Sequence, residues 1–546
     1  MIRRSEADMK LNRKEILDQI ESFQKAQIKL PTFDYEKVKE ETIKNPTWLH
    51  FGAGNIFRAF PAALQQKLLE EGIENKGIIV AEGYDYEIID KLFIPHDNLS
   101  LLVTLKANGS IEKTVIGSVV EALRVDASFE EDKKRLKEIF CSPYLQMVSF
   151  TITEKGYQIR RNDGEVIPDI AKDFEAGPEN AQSYLGKLTA LCYERYLAGK
   201  LPFSLVSMDN CSHNGDKLYT AVDTFAKEWE KRDLVEEGFV AYIENKALVA
   251  FPWSMIDKIT PRPDESVKKM LTEVGFQDVN DAVTSKNTYV APFVNAEEAE
   301  YLVIEDAFPN GRPDLAKAGV IFTDRDTVDK VEKMKVCTCL NPLHTALAVF
   351  GCLLGFTKIS EEMKDGDLVK LVERLGYVEG LPVVVHPGIM EPKDFLDTVI
   401  KVRIPNPFMP DTPQRIATDT SQKLSIRFGE TIKAYQKEGL AVQSLKVIPL
   451  VQAAWCRYLL GVNDEGEEFI VSPDPYYEEL SKILEGVEIG KTLPQTFRIS
   501  EILSRKDIFG VDLHEVGLAE KVEEYFVKMI QGKGAVRKTL KEVLNA

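Results

Sequence analysis

The pattern of hydrophobic and polar positions changes once along the chain, near residue 322. Before that point, short runs rich in β-branched and aromatic residues alternate with stretches of helical periodicity, which predicts a parallel sheet covered by helices. Helical patterns dominate afterwards, from a capped start within TDRDTVDKVEKMK. The runs expected to be strands are 47–54, 76–83, 145–153, 202–210 and 299–308. We therefore expect an α/β protein with one domain at 1–322 and a mostly α-helical domain at 323–546.

The N-terminal pattern predicts a helix rather than a secretory signal, because it lacks a long apolar core. Asn12 can cap this helix, with Glu15 three residues later and an apolar face that includes Phe23. The longest apolar run, 345–356, is too short to cross a bilayer. We therefore expect no membrane segment.

Composition narrows the classes of partner. The 546 residues are 44% hydrophobic, enough to bury large cores, and the net charge of −18 argues against nucleic acid or an anionic membrane as the main partner. The seven cysteines are odd in number and scattered, which favours reduced thiols and a cytoplasmic location over a disulfide framework. If the substrate is an anion, local basic residues must hold it.

A glycine-containing turn, GAGNIF, follows the first predicted strand. Gly52 and Gly54 let the backbone turn tightly and approach a pyrophosphate, and Asn55 opens the helix whose N-terminus attracts that anion. Phe57 stands where a full dinucleotide fingerprint has its third glycine, so a tight structural turn is the competing interpretation.

The next predicted strand ends in Glu82, which is placed to accept a hydrogen bond from a ribose 2′-hydroxyl and to repel a 2′-phosphate. Asp85 is the alternative acid. Together with the glycine turn, this pattern predicts an N-terminal Rossmann-like dinucleotide-binding domain and favours NAD over NADP.

Polar residues also follow two later strands. SMDNCSHNG places Asp209, Asn210 and His213 at one strand end, where ligands of open α/β sheets bind and an asparagine can donate to a carbonyl oxygen. TITEKGY places Glu154 at another. The competing interpretations are an Asx-rich turn and a solvated loop acid.

The segment KVCTCLNPLHTALA places Lys335, Asn341 and His344 at the head of an apolar helix. Asn341 and His344 share a face by their three-residue spacing, whereas Lys335 and Asn341 diverge by roughly 120° in a regular helix. Burial disfavours a charged ammonium, which makes a lysine a workable base near neutral pH. The alternative is a satisfied or snorkelling side chain without a chemical role.

Cys337 and Cys339 do not form a convincing metal site. Their two-residue spacing points them to opposite sides of a helix, and His344 adds only a third scattered candidate. We expect them, like Cys352, to pack as small apolar residues, and we expect no metal.

Seven segments, in order, resemble the polyol-specific long-chain dehydrogenases, the family of mannitol dehydrogenase, fructuronate reductase and tagaturonate reductase. The resemblance covers about 47–465 and rests on the glycine turn and on six further stretches: TITEKGY, SMDNCSHNG, WSMIDKITPRP, YLVIEDAFPNGRPDLAKAGV, CLNPLHTALA and VRIPNPFMPDTPQRIATDTSQKLS. It implies an NAD-dependent, metal-independent hydride transfer at a secondary alcohol carbon.

The resemblance also implies residue roles. The catalytic and substrate-binding residues so assigned are Lys335 as general base, Asn210 and Asn341 as oxyanion donors, His344 as orienting group, Glu154 as proton-relay acid, and Asp257, Arg415 and Lys423 as substrate-binding groups. The cofactor-binding set is Gly52, Gly54, Asn55, Glu82 and Asp209.

The chain departs from the family pattern at two places. The family usually has five residues from its lysine to its asparagine, whereas Lys335 precedes Asn341 by six; a helical bulge would accommodate the extra residue, and Lys333 is the fallback base. The nucleotide turn has Ile56, Phe57 and Arg58 in place of Phe-His-Arg.

A hexuronate carries a carboxylate that Arg415, Lys423 or Arg262 can hold, although polyol hydroxyls can use the same residues. The expected substrate is D-fructuronate, reduced to D-mannonate, followed by tagaturonate reduction and mannitol oxidation. A non-catalytic dinucleotide sensor is the alternative of a different class, which would not need Lys335, Asn341 and His344 together. The oligomeric state and the product epimer are not predictable from sequence.

Overall fold

A computed structural model describes residues 8–161 and 163–545. The fold divides into two compact units. The first contains the described residues through Lys106 together with Ser110–Asp329, and the second contains Ala107–Gly109 and the described residues from Lys330 onward.

A six-stranded parallel sheet organises the first unit. In spatial order its strands are Val119–Arg124, Ile78–Glu82, Trp48–Phe51, Met147–Phe150, Phe203–Ser207 and Val249–Ala250. Numbered along the chain, this order is 3-2-1-4-5-6, that of a dinucleotide-binding Rossmann sheet, with its switch point beside Trp48–Phe51. The predicted strands within 47–54, 76–83, 145–153 and 202–210 are confirmed in this sheet.

Both faces of this sheet are covered, which explains why its strands lack a polar face. Every residue of Trp48–Phe51 and Ile78–Glu82 is buried. Alternate residues point into opposite cores, Leu49 into one and Trp48 into the other. The helices of this unit are Arg13–Asp18, Ile20–Lys25, Tyr35–Lys44, Asn55–Ala59, Pro61–Glu70, Glu130–Cys141, Pro168–Ala176, Tyr184–Leu197, Asn214–Glu230, Phe239–Glu244 and Glu265–Glu273.

Antiparallel pairing that the sequence analysis did not anticipate accompanies the main sheet. The predicted strand within 299–308 is Tyr301–Glu305, but it pairs antiparallel with Ser254–Asp257 and parallel with Ile321–Thr323 in a separate three-stranded sheet. A mixed sheet contains Ile28–Lys29, Ile111–Ile116, Ser100–Leu105 and Phe293–Glu297, and a small hairpin contains Ala282–Val283 and Tyr289–Val290.

The predicted N-terminal cap is present, because the Asn12 side chain accepts a hydrogen bond from the Glu15 amide at 2.9 Å. The helix is interrupted at Gln19, whose φ of −129° is not helical, and then resumes. The capped start predicted within TDRDTVDKVEKMK is also present, and the cap is Asp324, whose carboxylate accepts from the Thr327 amide at 2.9 Å.

The described part of the second unit is helical. Its α-helices after Arg325–Met334, which contains the division between the units, are Asn341–Leu354, Ile359–Glu362, Gly366–Glu373, Pro392–Thr398, Pro413–Ile416, Glu430–Lys437, Val447–Tyr458, Tyr477–Ile483, Ile499–Leu503, Lys506–Phe509, Ala519–Met529 and Ala535–Asn545. Single π-helical turns occur at Lys335–Cys339, Arg374–Gly380, Val399–Arg403 and Ser425–Gly429. Val447–Tyr458 is buried at every position and forms the centre of this core.

The helical stretch Arg325–Leu354 is long and apolar enough to span a membrane by length and composition alone, with a mean hydropathy of 1.5 in its 18-residue window. However, 78% of that window is buried inside the protein. A buried core helix passes the same test, so this stretch is weak evidence for a membrane span.

Candidate active site

The glycine turn at the switch point contains two glycines, and the space available to a side chain differs between them. Gly52 has a φ of +105°, and a Cβ added to it would lie 2.3 Å from the Thr151 carbonyl oxygen, so the fold itself excludes a side chain there. Gly54 has no such neighbour, because nothing lies within 4 Å of its added Cβ. Packing therefore does not explain Gly54, which leaves room for the close approach of a pyrophosphate, and its cofactor-binding role stays a prediction.

Glu82 connects the glycine turn to the loop after its own strand. Its carboxylate accepts hydrogen bonds from the amides of Ala53 at 2.9 Å, Tyr84 at 2.8 Å and Asp85 at 3.1 Å. Burial raises the pKa of Glu82, and the three amide donors oppose that rise. The alternative acid, Asp85, accepts instead from the Thr284 hydroxyl at 2.6 Å. Glu82 thus lies at the strand end expected for a ribose acceptor and also braces the turn.

Arg58 holds the side chain of Asn55, the first residue of the helix after the turn. Its guanidinium donates to the Asn55 Oδ1 at 2.8 Å and to the Ala291 carbonyl at 2.9 Å. Arg58 is only 1% exposed, and burial lowers its pKa to about 9. Because Oδ1 is taken by Arg58, the Asn55 NH₂ group is the part of the amide that remains for a ligand.

Asp209 fastens the TITEKGY loop to the end of strand Phe203–Ser207. Its carboxylate accepts from the amides of Ile152 at 2.9 Å and Thr153 at 2.8 Å, and from the Tyr157 hydroxyl at 2.5 Å. Burial raises the pKa of Asp209. The structure thus gives Asp209 a positioning role that the sequence analysis did not include, and its cofactor-binding role stays a prediction. Asn210, the next residue, is exposed.

Glu154 opens the single turn Glu154–Tyr157 of the same loop and is exposed. Its carboxylate pairs with the Lys217 ammonium at 2.8 Å. An exposed acid paired with a lysine can exchange protons with solvent, which is compatible with the predicted relay role.

Asn214 is a structural residue of this region that the sequence analysis missed. Its side chain donates to the carbonyl of Asp209 and accepts from the Ser254 amide, both at 3.0 Å. It thereby joins the strand end of Asp209 to strand Ser254–Asp257, whose last residue, Asp257, is 5% exposed. Arg262, a weaker candidate for anion binding, lies over the Tyr289 ring at 4.9 Å.

In the second unit, Lys335 opens a π-helical turn, Lys335–Cys339. The structure contains a helical bulge of the kind that would accommodate the six-residue spacing, because the Leu340 amide donates to the Lys335 carbonyl at 3.0 Å, five residues back. Lys335 is 4% exposed, whereas the fallback base Lys333 is exposed. Lys335 is thus shielded from solvent and Lys333 is not, and the base role stays a prediction.

The next helix, Asn341–Leu354, is buried at every position except Asn341, His344 and Leu354. Asn341 and His344 are one helical turn apart and therefore share a face, as the sequence predicted. The Thr345 hydroxyl donates to the Asn341 carbonyl at 3.0 Å and accepts from the Arg427 guanidinium. Sequence reasoning missed Arg427, although its position four residues after Lys423 in a helical pattern was the available signal.

The two predicted basic residues are held by their own segment. The Lys423 ammonium donates to the carbonyls of Ile416, at 3.3 Å, and Thr418. Burial first, and then Arg427, lowers the pKa of Lys423. Arg415 pairs with Asp411, and its side chain is 60% exposed.

Of the three cysteines expected to pack as small apolar residues, Cys337 is only half-buried. Cys339 and Cys352 are buried, and burial raises the pKa of each thiol to about 12. All seven cysteines are free. Within residues 8–161 and 163–545, no group of three or more His, Cys, Asp or Glu side chains could hold a metal ion. The metal-free reaction remains a prediction.

The structure therefore gathers the predicted residues into two sets, each described within its own unit. The first unit places the glycine turn, Glu82, Asp209 and Glu154 at the carboxyl ends of the parallel strands. The second places Lys335, Asn341 and His344 around one helix start, with the unpredicted Arg427 in contact with Thr345 of the same helix.

Comparison with known proteins agrees with this architecture. A mannitol dehydrogenase Rossmann domain matches residues 46–317, and a mannitol dehydrogenase C-terminal domain matches residues 327–530. The chain therefore belongs to the mannitol dehydrogenase family and is an oxidoreductase, which confirms the fold class and family expected from the sequence.

Individual relatives cover nearly the whole chain. D-mannonate oxidoreductase of Thermotoga maritima is 54% identical over 98% of this chain and 99% of its own length. Mannitol 2-dehydrogenase of Aspergillus clavatus is 31% identical over 93% of this chain and 94% of that protein.

Two solved structures share the fold. Pseudomonas fluorescens mannitol 2-dehydrogenase, solved as a ternary complex with NAD and D-mannitol, has a TM-score of 0.68 and 27% identity, covering 98% of this chain and 100% of that one. A D-sorbitol dehydrogenase in substrate-free form has a TM-score of 0.76 and 25% identity, covering 95% and 98%.

Proposed function

We propose that this protein is an NAD-dependent oxidoreductase that interconverts D-fructuronate and D-mannonate by hydride transfer. The observation that carries this proposal is the 54% identity, over 98% of the chain, to D-mannonate oxidoreductase. A cytoplasmic location is part of the proposal and is supported by seven free cysteines. In this proposal, residues 1–322 bind the dinucleotide, and residues 323–546 carry most of the substrate-binding and catalytic groups.

NAD fits the first unit for reasons visible in its residues. The sheet has the dinucleotide-binding strand order, Gly54 has open space where a side chain would stand, and Glu82 ends the strand after the turn. Asn55, with its orientation fixed by Arg58, is the proposed phosphate-side donor. When bound, NAD supplies the acceptor or donor of the hydride.

Lys335 is the proposed general acid and base. In the reducing direction its Nζ gives a proton to the oxygen of the substrate ketone, and in the oxidising direction it removes that proton from the alcohol. Because Lys335 is only 4% exposed, little bulk water competes with the substrate oxygen for the proton.

The amide groups of Asn210 and Asn341 are the proposed donors to the same oxygen while it carries negative charge. His344, one turn after Asn341 on the same helix face, orients the substrate. Helix Asn341–Leu354 is buried around these two side chains, which limits their freedom and favours preorganisation.

The remaining residues have supporting roles in the proposal. Glu154, exposed and paired with Lys217, relays protons to solvent. Asp257 accepts hydrogen bonds from substrate hydroxyls, and Arg415 and Lys423 bind the distal end of the sugar chain.

Mannitol oxidation is the second candidate, because family members at about 30% identity are mannitol 2-dehydrogenases. Tagaturonate reduction also uses a six-carbon keto acid and differs in the configuration of one hydroxyl group. The pocket must distinguish these by small differences in transition-state binding.

The test is NADH oxidation followed at 340 nm with D-fructuronate, D-tagaturonate and D-fructose in parallel, repeated with NADPH. Preference for D-fructuronate with NADH is the expected result. Preference for D-fructose would assign the protein to polyol oxidation, and binding of NADH without turnover of any substrate would support the sensor alternative.

A further inference from the structure

Arg427 lies beside the helix face that carries Asn341 and His344. Its guanidinium donates one hydrogen bond, from Nη1 to the Thr345 hydroxyl. Asn341, His344 and Thr345 are spaced i, i+3 and i+4 and therefore form a single face of their helix. The guanidinium thus contacts the edge of the face that we assign to the reacting ketone.

The charge of Arg427 has no acidic partner among the described residues. No carboxylate forms an ion pair with it, and Nε and Nη2 have no hydrogen-bond acceptor in residues 8–161 and 163–545. Burial lowers the pKa of Arg427 to about 10, which leaves it charged at neutral pH. A partly buried guanidinium without an anion is costly, and its Nε–Nη2 edge has the geometry to bind both oxygens of a carboxylate.

The other basic residues of this region are already engaged. Lys423 donates to two backbone carbonyls of its own segment, and Arg415 is exposed and paired with Asp411. Lys423 lies close enough to Arg427 to share its electrostatic field, so the two cations together attract an anion. Of the three, Arg427 is the one that has neither a carboxylate nor a carbonyl partner among the described residues.

We propose that Arg427 binds the substrate carboxylate through its Nε–Nη2 edge and is thereby the residue that selects a sugar acid over the corresponding neutral sugar. This inference rests on the proposed function and specifies which residue binds the carboxylate of the substrate. The carboxylate of D-fructuronate lies at the end of the carbon chain away from the ketone, so Arg427 acts on binding and orientation while Lys335 and Asn341 act at the reacting oxygen.

The test compares D-fructuronate with D-fructose, which has the same ketone and carries a CH₂OH group where D-fructuronate carries its carboxylate. The measured quantity is the ratio of kcat/KM for the acid to kcat/KM for the neutral sugar in wild type, Arg427→Gln and Arg415→Gln. We expect Arg427→Gln to lower this ratio by roughly 30-fold or more, chiefly through the KM of D-fructuronate. Arg415→Gln tests the rival basic residue, because Arg415 is also proposed to bind the sugar chain, and it should lower the ratio less. The matched control is Arg498→Gln, an exposed arginine paired with Glu501 at 3.1 Å, which should leave the ratio unchanged.

Each outcome decides the proposal. Equal losses for both substrates would show that Arg427 only supports Thr345 and its helix, and a larger fall in Arg415→Gln would assign the carboxylate to Arg415; either result overturns the inference. Arg427→Lys keeps the charge but cannot form the bidentate hydrogen bonds of a guanidinium, so it should give an intermediate ratio. It replaces Arg427→Gln in the comparison if the glutamine variant has a strongly lowered melting temperature.

The proposed function fails separately from this inference. If wild type prefers D-tagaturonate, the assigned substrate is wrong, and the same ratio against D-tagatose still tests Arg427. If wild type prefers D-fructose to both uronates, the protein does not select an acid and both proposals are overturned.

Discussion

Glu362 is the most unusual carboxyl group in the second unit. It is fully buried, and neither carboxylate oxygen has a hydrogen-bond partner within the described residues. Its Oε1 lies against Gly351, where an added Cβ would be only 2.2 Å away, so the glycine provides the room for this side chain. Burial, with a smaller contribution from Asp365, raises the pKa of Glu362 to about 9.

A raised pKa in the folded state has a defined consequence for stability. The folded protein holds the Glu362 proton up to about pH 9, whereas the unfolded chain releases it near its ordinary value of 4.5. The contribution of Glu362 is therefore fully present below pH 4.5 and is lost as pH rises towards 9. Each pH unit in that window costs about 1.4 kcal/mol, so the loss from pH 6 to pH 8 is about 3 kcal/mol.

Glu362→Gln removes the titration while keeping nearly the same shape. We expect the variant to gain about 3 kcal/mol relative to wild type between pH 6 and pH 8, because only wild type must lose a proton on unfolding in that range. Urea unfolding of both proteins across this range measures the difference, and subtraction cancels every other titrating group. The exposed neighbour Glu361, paired with Lys364 at 2.8 Å, supplies the control Glu361→Gln, which should leave the pH dependence unchanged. A wild-type minus Glu362→Gln difference that stays constant with pH would refute the reasoning.

The remaining predictions concern the proposed site. Gly54→Ala should weaken NADH binding by roughly tenfold or more without lowering the melting temperature, which fluorescence titration and thermal melting measure. Gly52→Ala should instead destabilise the fold by about 1–3 kcal/mol. Equal melting temperatures for the two variants would contradict the separate roles given to these glycines. Lys335→Ala should lower kcat by roughly 10²–10⁴ with NADH binding intact, while Lys333→Ala should not, and near-normal turnover of Lys335→Ala at saturation would remove it as the base. Asp209→Ala leaves three donors without their acceptor and should lower the free energy of unfolding by about 3 kcal/mol or more, measured by thermal melting. Protease cleavage in the TITEKGY loop should increase. An unchanged melting temperature would argue against the positioning role of Asp209.

The first unit shows how far sequence reasoning reaches in a parallel sheet. Four strands of the main sheet were predictable because full burial on both faces requires continuous apolar runs, and such runs are conspicuous. The antiparallel partners of Tyr301–Glu305 were not predictable, because pairing direction depends on contacts between segments distant in sequence. Asp209 shows the same limit, since its sequence neighbours indicated a ligand site but not that its carboxylate would be consumed by Ile152, Thr153 and Tyr157.

In the second unit, the direction in which a side chain leaves its helix matters as much as the identity of the residue. Lys335, Asn341 and His344 could be chosen from the sequence because polar residues at the start of an apolar helix need a reason to be there, and the six-residue interval indicated a bulge. The π turn changes the rotation per residue, so the directions of Lys335 and Asn341 cannot be calculated from a regular helix. Arg427 was missed for a different reason: its spacing from Lys423 was visible in the sequence, but the sequence does not show that no carboxylate of the described residues pairs with it. The Arg427 guanidinium has only the Thr345 hydroxyl as a hydrogen-bond partner among the described residues, which leaves its other donors for a ligand. That arrangement is a property of the packed structure, and it is why we propose Arg427, rather than Arg415 or Lys423, as the residue that selects a sugar acid.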